Sequence, residues 1–225
     1  MIYLASDLHV IKYDKEGGIA YFNKEALDRI HEWPELTEDD QLIYLGDLID
    51  AEIDPYCNKY EVFVFNIIRN KIKKAKKNIF IRGNNDTQKD SFYNSLGFNK
   101  ITYCTMLNRQ SHRILLSHTS VNISGYEGIV DYNIHGHIHR PNVDPDIISY
   151  YHYCKRNINL CTFTCREYDL TPISDINLVT EKDRNFMYDE SRNEKPGMSQ
   201  FIQNQCYTYL DEIKRNKELI DSYIR

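Results

Sequence analysis

The chain of 225 residues lacks the features that mark membrane, secreted and polyanion-binding proteins. It has no apolar stretch long enough to cross a bilayer, so we expect no contact with a membrane. The first residues, Met1 to Asp7, have neither the basic start nor the long apolar core of a secretory signal, and they indicate a buried strand instead. The net charge of −5 provides no overall attraction for a polyanion such as nucleic acid.

Cysteine is present but lacks the spacing of a metal or disulfide framework. The six cysteines are scattered, and Cys161 and Cys165, four positions apart, have no second pair to complete a zinc site. We therefore expect reduced thiols and a cytoplasmic location. The chain also has no internal repeat, and its 41% hydrophobic and 27% charged residues are typical of a globular protein.

The first half of the chain alternates apolar strands with helical patterns. Strands are predicted at Ile2 to Ala5, Leu42 to Leu45 and Ile79 to Ile81, and a polar cluster follows each of them. Residues 10–22 are predicted to form a loop. This order is typical of an open α/β sheet, whose ligands bind beyond the carboxyl ends of the strands.

Two helices are predicted between these strands. Asn23 is a suitable N-cap for a helix that runs to about Glu32. The segment from Asn58 to Lys77 is predicted to be helical, and its apolar residues would face the core: Val62, Phe63, Phe65, Ile67, Ile68 and Ile72.

The second half is predicted to be richer in strands. These are Ile101 to Leu107 and His112 to Ser117, joined as a hairpin, then Val130 to Ile134 and Ile158 to Thr164. Ser199 is a suitable N-cap for a terminal amphipathic helix that would cover the domain or a second subunit. We therefore divide the chain into a domain over 1–178, a polar linker over 179–198 and a C-terminal helix over 199–225.

Four polar clusters and a lone histidine carry residue types that bind divalent metals. In chain order the proposed ligands are Asp7, His9, Asp47, Asn84, His118, His137 and His139. Oxygen and imidazole ligands together suit Mn, Fe, Zn or Ni better than Ca. Two such ions about 3.5–4 Å apart can stabilise the attacking and leaving oxygens of a phosphoryl displacement. Hydrolysis of a phosphate ester is therefore the leading hypothesis.

Supporting roles follow from the same clusters. Asp47 is the natural bridging carboxylate, and the glycines before Asp47 and His137 allow the backbone to pass close to the metals. Asp50, Asp86 and the Ser117 hydroxyl are candidates for hydrogen bonds to the ligand atoms that do not bind a metal, which would hold the ligands in place.

Each cluster alone also fits a structural role. Gly-Asp and Gly-Asn sequences are common in tight turns, and a lone His118 is compatible with a buried, hydrogen-bonded histidine. The three alternating histidines at 135, 137 and 139 are the hardest to explain by packing. The basic run from Arg69 to Lys77 could contact nucleic acid, but it fits better as the solvated end of a helix.

The ordered set of clusters resembles the calcineurin-like metallophosphoesterase family, whose blocks are D-x-H, G-D-x-x-D, G-N-x-D/E (with His at x in many members), a lone His and G-H-x-H. The chain has all five blocks between residues 7 and 139, and the resemblance extends to about residue 178. It implies a four-layer αββα sandwich of two mixed β-sheets flanked by helices, here with an added C-terminal helix. It also implies a phosphoesterase with two divalent metal ions, Mn first, with Fe, Zn or Ni as alternatives.

The resemblance further implies how the ligands are shared. The first metal would be bound by Asp7, His9, Asp47 and His139, and the second by Asp47, Asn84, His118 and His137. A metal-bridging hydroxide would attack phosphorus, and the two metals together with Arg140 or nearby backbone amides would carry the charge of the phosphate oxygens.

Two departures from the family pattern bear on the substrate. Many relatives have His where this chain has Asn85, which cannot deliver a proton at neutral pH. General acid catalysis is worth about 100- to 10,000-fold, and members without this His resemble phosphodiesterases, so we expect a nucleotide-type or small phosphodiester, with His135 as an alternative acid. Ala51-Glu52 stands where phosphoprotein phosphatases have Arg-Gly, which argues against that class and its dinucleotide-polyphosphate relatives.

Alternative functions remain within the same fold. A phosphomonoesterase or a nuclease would use the same metals, although small relatives lack the capping domain that forms a nuclease channel, so nucleic acid is possible but not favoured. A non-catalytic scaffold, for which a retromer subunit is a precedent, would be expected to lose metal ligands. A homodimer through the terminal helix also stays open.

Overall fold

A computed structural model of the chain describes residues 1–14, 19–50, 59–137, 157–160, 170–176, 178 and 198–224. The strands in these ranges are β1 (Ile2–Ala5), β2 (Ile11–Asp14), β3 (Ile19–Phe22), β4 (Gln41–Tyr44), β5 (Lys77–Ile81), β6 (Lys100–Thr102), β7 (Cys104–Arg109), β8 (His112–Ser117), β9 (Tyr132–His135), β10 (Asn157–Asn159) and β11 (Thr171–Pro172). The α-helices are α1 (Lys24–Glu32), α2 (Lys59–Ile72), α3 (Asp90–Leu96) and α4 (Met198–Ile224).

The strands form two mixed sheets and a hairpin. The first sheet has the order β11-β1-β4-β5-β6, in which β1, β4, β5 and β6 are parallel and β11 is antiparallel. The second has the order β10-β9-β8-β7, in which only the β7–β8 pair is antiparallel. The strands β2 and β3 pair with each other as a separate hairpin.

Side-chain alternation along the strands divides the core into layers. Leu4 of β1 packs between the two sheets with residues such as Ile43 and Leu116. Its neighbour Ala5 points to the opposite face, where the three helices α1, α2 and α3 cover the first sheet. On the outer face of the second sheet, Leu115 packs against α4. The four-layer αββα sandwich expected from the family resemblance is therefore confirmed.

The capping prediction for the first helix is confirmed. The Asn23 side chain accepts a hydrogen bond from the backbone N–H of Ala26 at 3.3 Å, and its amide donates to the Leu8 carbonyl at 3.1 Å. Asn23 therefore begins α1 and also anchors it to the segment after β1, close to Asp7 and His9.

One prediction for the first half of the chain is wrong, and another is confirmed only in part. Residues 10–22 were expected to form a loop, but β2 and β3 pair there, because β-branched and aromatic residues flank the glycine pair at 17–18. The predicted helix is present as α2, and Phe65, Ile68 and Ile72 are buried as expected. It ends at Ile72 and not at Lys77, and Val62 and Phe63 are 47% and 63% exposed. Val64 joins this buried face because it lies four and eight residues before Ile68 and Ile72.

The strand predicted over 101–107 is divided between the two sheets. It contributes β6 to the first sheet and β7 to the second, and Tyr103 is the single residue between them. The short helix α3 was not predicted, because seven residues carry too little periodicity to reveal it. Positions 161–164 of the strand predicted over 158–164, and positions 179–197 of the predicted linker, lie outside the described residues.

The C-terminal helix packs on its own domain through its first half. It begins at Met198, so the prediction that Ser199 is its N-cap is wrong. Ile202, Cys206 and Leu210 are buried against the second sheet, and nothing in the described ranges supports a homodimer through this helix. None of the helices in these ranges combines the length and apolar character needed to cross a membrane.

Candidate metal centre

Five of the predicted ligands follow strands that end at the same side of the sandwich. Asp7 follows β1, Asp47 follows β4 and Asn84 follows β5, and these three strands are parallel neighbours. His118 and His137 follow β8 and β9, which are parallel neighbours in the second sheet. Because parallel strands end together, each sheet brings its own ligands to one edge, and the packing of the sheets brings the two sets together.

The structure brings these side chains into two groups that share one aspartate. Ligand atoms of Asp7, His9 and Asp47 all lie within 4.8 Å of one another, and so do those of Asp47, His118 and His137. The Nε2 atom of His118 is 3.4 Å from Oδ2 of Asp47, and Nε2 of His9 is 3.9 Å from the same oxygen. Asp47 is thus positioned between the groups.

Asn84 joins the second group. Its Oδ1 atom lies 2.9 Å from Nε2 of His118, and Nδ1 of His137 lies 3.2 Å from that same nitrogen. Together with Asp47 Oδ2, these atoms bring several lone pairs into a small volume. Such an arrangement repels itself unless a proton or a cation lies among the atoms, so the donor set fits a divalent metal.

The backbone is strained at these positions. Asp7, His9, Asp47 and His137 have φ values of 56°, 42°, 57° and 74°, and they account for four of the six described non-glycine residues with positive φ. Each costs on the order of 1 kcal/mol or more and persists only where the surroundings enforce it. The left-handed turns redirect these side chains after their strands end. The same turns therefore explain why a simple strand register does not predict their orientation.

Two glycines allow the loops to approach the carboxylates. A Cβ atom at Gly83 would lie 2.0 Å from Oδ1 of Asp47, and one at Gly136 would lie 2.3 Å from Oδ2 of Asp7. No side chain fits at either position, so the family's glycines are required by close packing around Asp7 and Asp47.

The imidazoles of His9 and His118 are each held by the nitrogen that faces away from Asp47. His9 Nδ1 contacts the carboxylate of Asp50, as the sequence predicted for a supporting residue. His118 Nδ1 lies 2.7 Å from the Leu45 carbonyl, which can only accept, so Nδ1 carries a proton and Nε2 is the nitrogen that would bind a metal after losing its own proton. Such partners fix the tautomer and orientation of a ligand.

The other two predicted supporting residues act on the backbone. The Asp86 carboxylate accepts hydrogen bonds from the N–H groups of Asp47 (2.7 Å), Leu48 (3.1 Å) and Gly83 (2.7 Å), so it links the loops after β4 and β5. Burial and the charge of Asp47 raise the pKa of Asp86 to about 7, against the effect of these donors. The Ser117 hydroxyl donates to the Thr119 carbonyl at 2.7 Å and thereby supports the loop of His118.

One supporting residue was missed. The hydroxyl of Ser6 donates to Oδ2 of Asp7, which also accepts from the backbone N–H of His137 at 2.9 Å. The second contact joins the loops of the two sheets. A hydroxyl residue directly before the D-x-H block was the available signal in the sequence.

The electrostatic field of the site favours positive charge. Burial by itself would lower the pKa of His9, but the contacts with Asp50 and Asp7 and the charges of Asp7 and Asp47 raise it to about 10. Burial likewise opposes the charged form of His118, whose pKa the Asp47 carboxylate raises to about 9. Without a metal, protons thus occupy a site whose carboxylates attract cations.

The predicted catalytic residues have different surroundings. Asn85 donates to both oxygens of Asp47, from its backbone N–H at 2.9 Å and from its side-chain amide at 2.8 Å. His135, in β9, has no exposed surface, and its Nδ1 lies 2.8 Å from the Gly136 carbonyl. His139 and Arg140 lie outside the described residues.

The basic run lies away from this site. Its residues precede or begin β5, whereas Gly83 and Asn84 follow the end of that strand. Lys71 donates to the Trp33 carbonyl at 2.6 Å, and Lys74 pairs with Glu35 at 2.9 Å. Two of the lysines that could have bound nucleic acid are therefore engaged in contacts within the chain.

A comparison with family models matches residues 1–146 to the calcineurin-like phosphoesterases. The chain belongs to this family. It is accordingly a metal-dependent phosphoric ester hydrolase, and the resemblance inferred from the five sequence blocks is confirmed. The match includes all seven proposed metal ligands and ends well before α4.

The solved structures that match this chain are distant from it in sequence. One is a protein of unknown function from Aquifex aeolicus, with a TM-score of 0.49, 21% identity and coverage of 76% of this chain and 94% of that chain. Nuclease MPE from Pseudomonas putida has a TM-score of 0.43, 22% identity and 61% coverage of both chains. The phosphoesterase Yfce from E. coli has a TM-score of 0.38, 15% identity and coverage of 70% and 77%. A search of curated proteins found no match.

Proposed function

We propose that this phosphoesterase is a dinuclear enzyme that hydrolyses a nucleotide-type or other small phosphodiester. The observation that carries the proposal is that Asp47 belongs to both ligand groups. The first metal would be bound by Asp7, His9 and Asp47, and the second by Asp47, Asn84, His118 and His137. By the family pattern, His139 would complete the first set. When bound, two divalent ions polarise the phosphate and lower the pKa of the attacking water.

The residues around Asp47 prepare it for a bridging role. Asn85 holds both carboxylate oxygens, and Asp86 fixes the backbone on either side of Asp47. The carboxylate is therefore oriented by the chain itself before any ion binds, which limits the reorganisation needed during the reaction.

The preference for a diester rests on Asn85. Its amide has no proton to give to a leaving group, and in the structure it is engaged with Asp47. The buried position of His135 argues against proton delivery by that residue. Without an acid, hydrolysis depends on the leaving group itself, and family members without the histidine resemble phosphodiesterases.

We also propose that the enzyme works in the cytoplasm with manganese as its metal. Cys104 and Cys206 are free and buried, which suits a reducing compartment. The mixture of carboxylate, amide and imidazole ligands suits Mn, and Fe, Zn or Ni are the alternatives to be compared with it.

The experiment measures metal content and hydrolysis together. The protein, stripped of metal and reloaded with Mn, Ni or Zn, should hold two ions per chain and cleave bis(p-nitrophenyl) phosphate faster than p-nitrophenyl phosphate. Asp47→Ala should lose both ions and all turnover, whereas Asp28→Ala, at an exposed position of α1, should keep both. A two-metal protein that cleaves neither ester would instead be a scaffold, and activity in Asp47→Ala would contradict the bridging role.

A further inference from the structure

The loop after β8 carries His118 and needs partners for its backbone. Because β8 ends at Ser117, the next carbonyls have left the sheet, and buried carbonyls require hydrogen bonds. The His118 carbonyl accepts from the Gly136 N–H at 2.9 Å, and the Thr119 carbonyl accepts from the Ser117 hydroxyl. Both partners lie within the segment matched by the family.

The next carbonyl is satisfied from a distant part of the chain. The side-chain amide of Gln203, in α4, donates to the Ser120 carbonyl at 2.9 Å across 83 positions of sequence. Gln203 is only 9% exposed, so water does not readily replace this bond. One turn further along α4, the Tyr207 hydroxyl accepts from the Asn122 N–H at 3.2 Å.

Apolar contacts hold the same surfaces together. Val121 and Ile123 of the loop are fully buried against Ile202 and Cys206 of α4. The loop is thus fixed at its start by the metal-site segment around Gly136. Its middle is held by Asn133 of β9, whose Oδ1 accepts from the Val121 N–H at 2.9 Å, and by the C-terminal helix. A shift at Ser120 would be transmitted over two residues to His118.

We propose that Gln203 is a positioning residue for the metal centre. By holding the Ser120 carbonyl, it fixes the loop that orients His118, and it thereby sets the affinity of the second metal. This inference rests on the proposed role of His118 as a ligand of that metal. The geometry at stake is tight, because His118 Nε2 must face Asn84 and Asp47 together, at 2.9 and 3.4 Å.

The variant Gln203→Met removes the donor and keeps the approximate size and helical preference of the side chain. Gln200→Met is the matched control, because Gln200 lies one turn earlier, is exposed, and donates only to Asn204 among the contacts of α4 described here. Both variants are made in the full chain and titrated with Mn²⁺ after removal of metal. Hydrogen exchange of the Val121 and Asn122 amides reports the loop independently of catalysis.

We expect Gln203→Met to weaken the binding of one Mn²⁺ ion about tenfold, which is the low end of the range for residues that orient metal ligands. The affinity for the other ion should stay within about twofold of the wild-type value. Hydrogen exchange of the Val121 and Asn122 amides should become faster. Gln200→Met should match the wild type. In a His118→Ala background, which lacks the second metal's imidazole, Gln203→Met should cause no further loss of Mn²⁺.

Wild-type affinity for both ions in Gln203→Met would overturn the proposal, as would an equal loss of both or a loss that persists in the His118→Ala background. If Gln203→Met does not fold, Tyr207→Phe removes the other side-chain hydrogen bond described between α4 and this loop, and it should weaken binding of the same ion by about threefold, the effect of one neutral hydrogen bond. Unchanged affinity in Tyr207→Phe would also overturn the proposal. Binding of fewer than two Mn²⁺ by the wild type would refute the dinuclear function itself, before any variant is compared.

Discussion

Replacing Gly83 by alanine should disable the metal centre through a single methyl group. That methyl group would lie 2.0 Å from Oδ1 and 2.5 Å from the backbone N of Asp47, whereas ordinary contacts begin at 3.4 Å. The carboxylate and the new carbon must therefore separate by about 1.4 Å, which far exceeds the tolerance of about 0.2 Å in metal–ligand distances. Because Asp47 belongs to both ligand groups, both metals should be affected.

The expected losses follow from that displacement. A misplacement of about 1 Å can cost 100-fold in rate, so diester hydrolysis should fall by at least about 100-fold. Mn²⁺ binding should weaken at both positions in the same titration. The fold itself should lose only about 1–3 kcal/mol of stability, the usual cost of overpacking.

A variant at a second glycine is the control for general destabilisation of the fold. Gly125 has a φ of +91° and no atom within 4 Å of a built Cβ, so Gly125→Ala costs about 1–2 kcal/mol of backbone strain without touching the site. Isothermal titration with Mn²⁺, turnover of bis(p-nitrophenyl) phosphate and thermal melting are compared for both variants. If Gly83→Ala binds two ions and turns over like Gly125→Ala, the packing argument around Asp47 is refuted.

Two further predictions concern the proton chemistry of the site. Asn85→His should raise the rate of monoester hydrolysis relative to diester hydrolysis, because an imidazole can protonate a leaving group. The loss of the amide contact with Asp47 should lower the absolute rate of diester hydrolysis. An unchanged ratio of kcat/KM for the two substrates would contradict the role assigned to Asn85. Mn²⁺ binding at pH 7 should release about two protons, since the raised pKa values of His9 (about 10) and His118 (about 9) keep both rings protonated in the metal-free protein. The affinity for Mn²⁺ should therefore rise with pH up to about 10. The stability that these protonated rings contribute, fully present below about pH 6.5, should be lost as the pH rises through 9 and 10. Calorimetry in buffers of different ionisation enthalpy measures the release, and a value near zero would exclude these rings as ligands.

Much of the fold could be predicted from local pattern. The apolar runs at β1, β4 and β5 and the Asn23 cap were correct, because burial on both faces and cap chemistry are local properties. The run around Tyr103 was misjudged, since one continuous apolar stretch gives no sign that it feeds two sheets. The exposed Phe63 was misjudged because its helix face depends on which layer the helix covers.

The candidate metal centre, too, could be predicted only in part from local pattern. His135 and His137 have the spacing that would place both side chains on one side of an extended strand. The strand ends at His135, and the positive φ of His137 turns its ring towards His118, while His135 stays buried in the sheet. Likewise, Asn85 was recognised as a departure from the family, but its contact with Asp47 depends on how two loops meet.

The sequence by itself determined the identity and order of the metal-binding residue types, their positions at strand ends and the glycines beside them, because these are properties of short segments. Only the tertiary structure decided that Asn85 and Asp86 hold Asp47 in place, that each sheet contributes its own ligands, and that α4 reaches the loop of His118. The reason is that these distances depend on how two sheets and a terminal helix pack, and no local pattern of side chains encodes the separation of residues more than 80 positions apart.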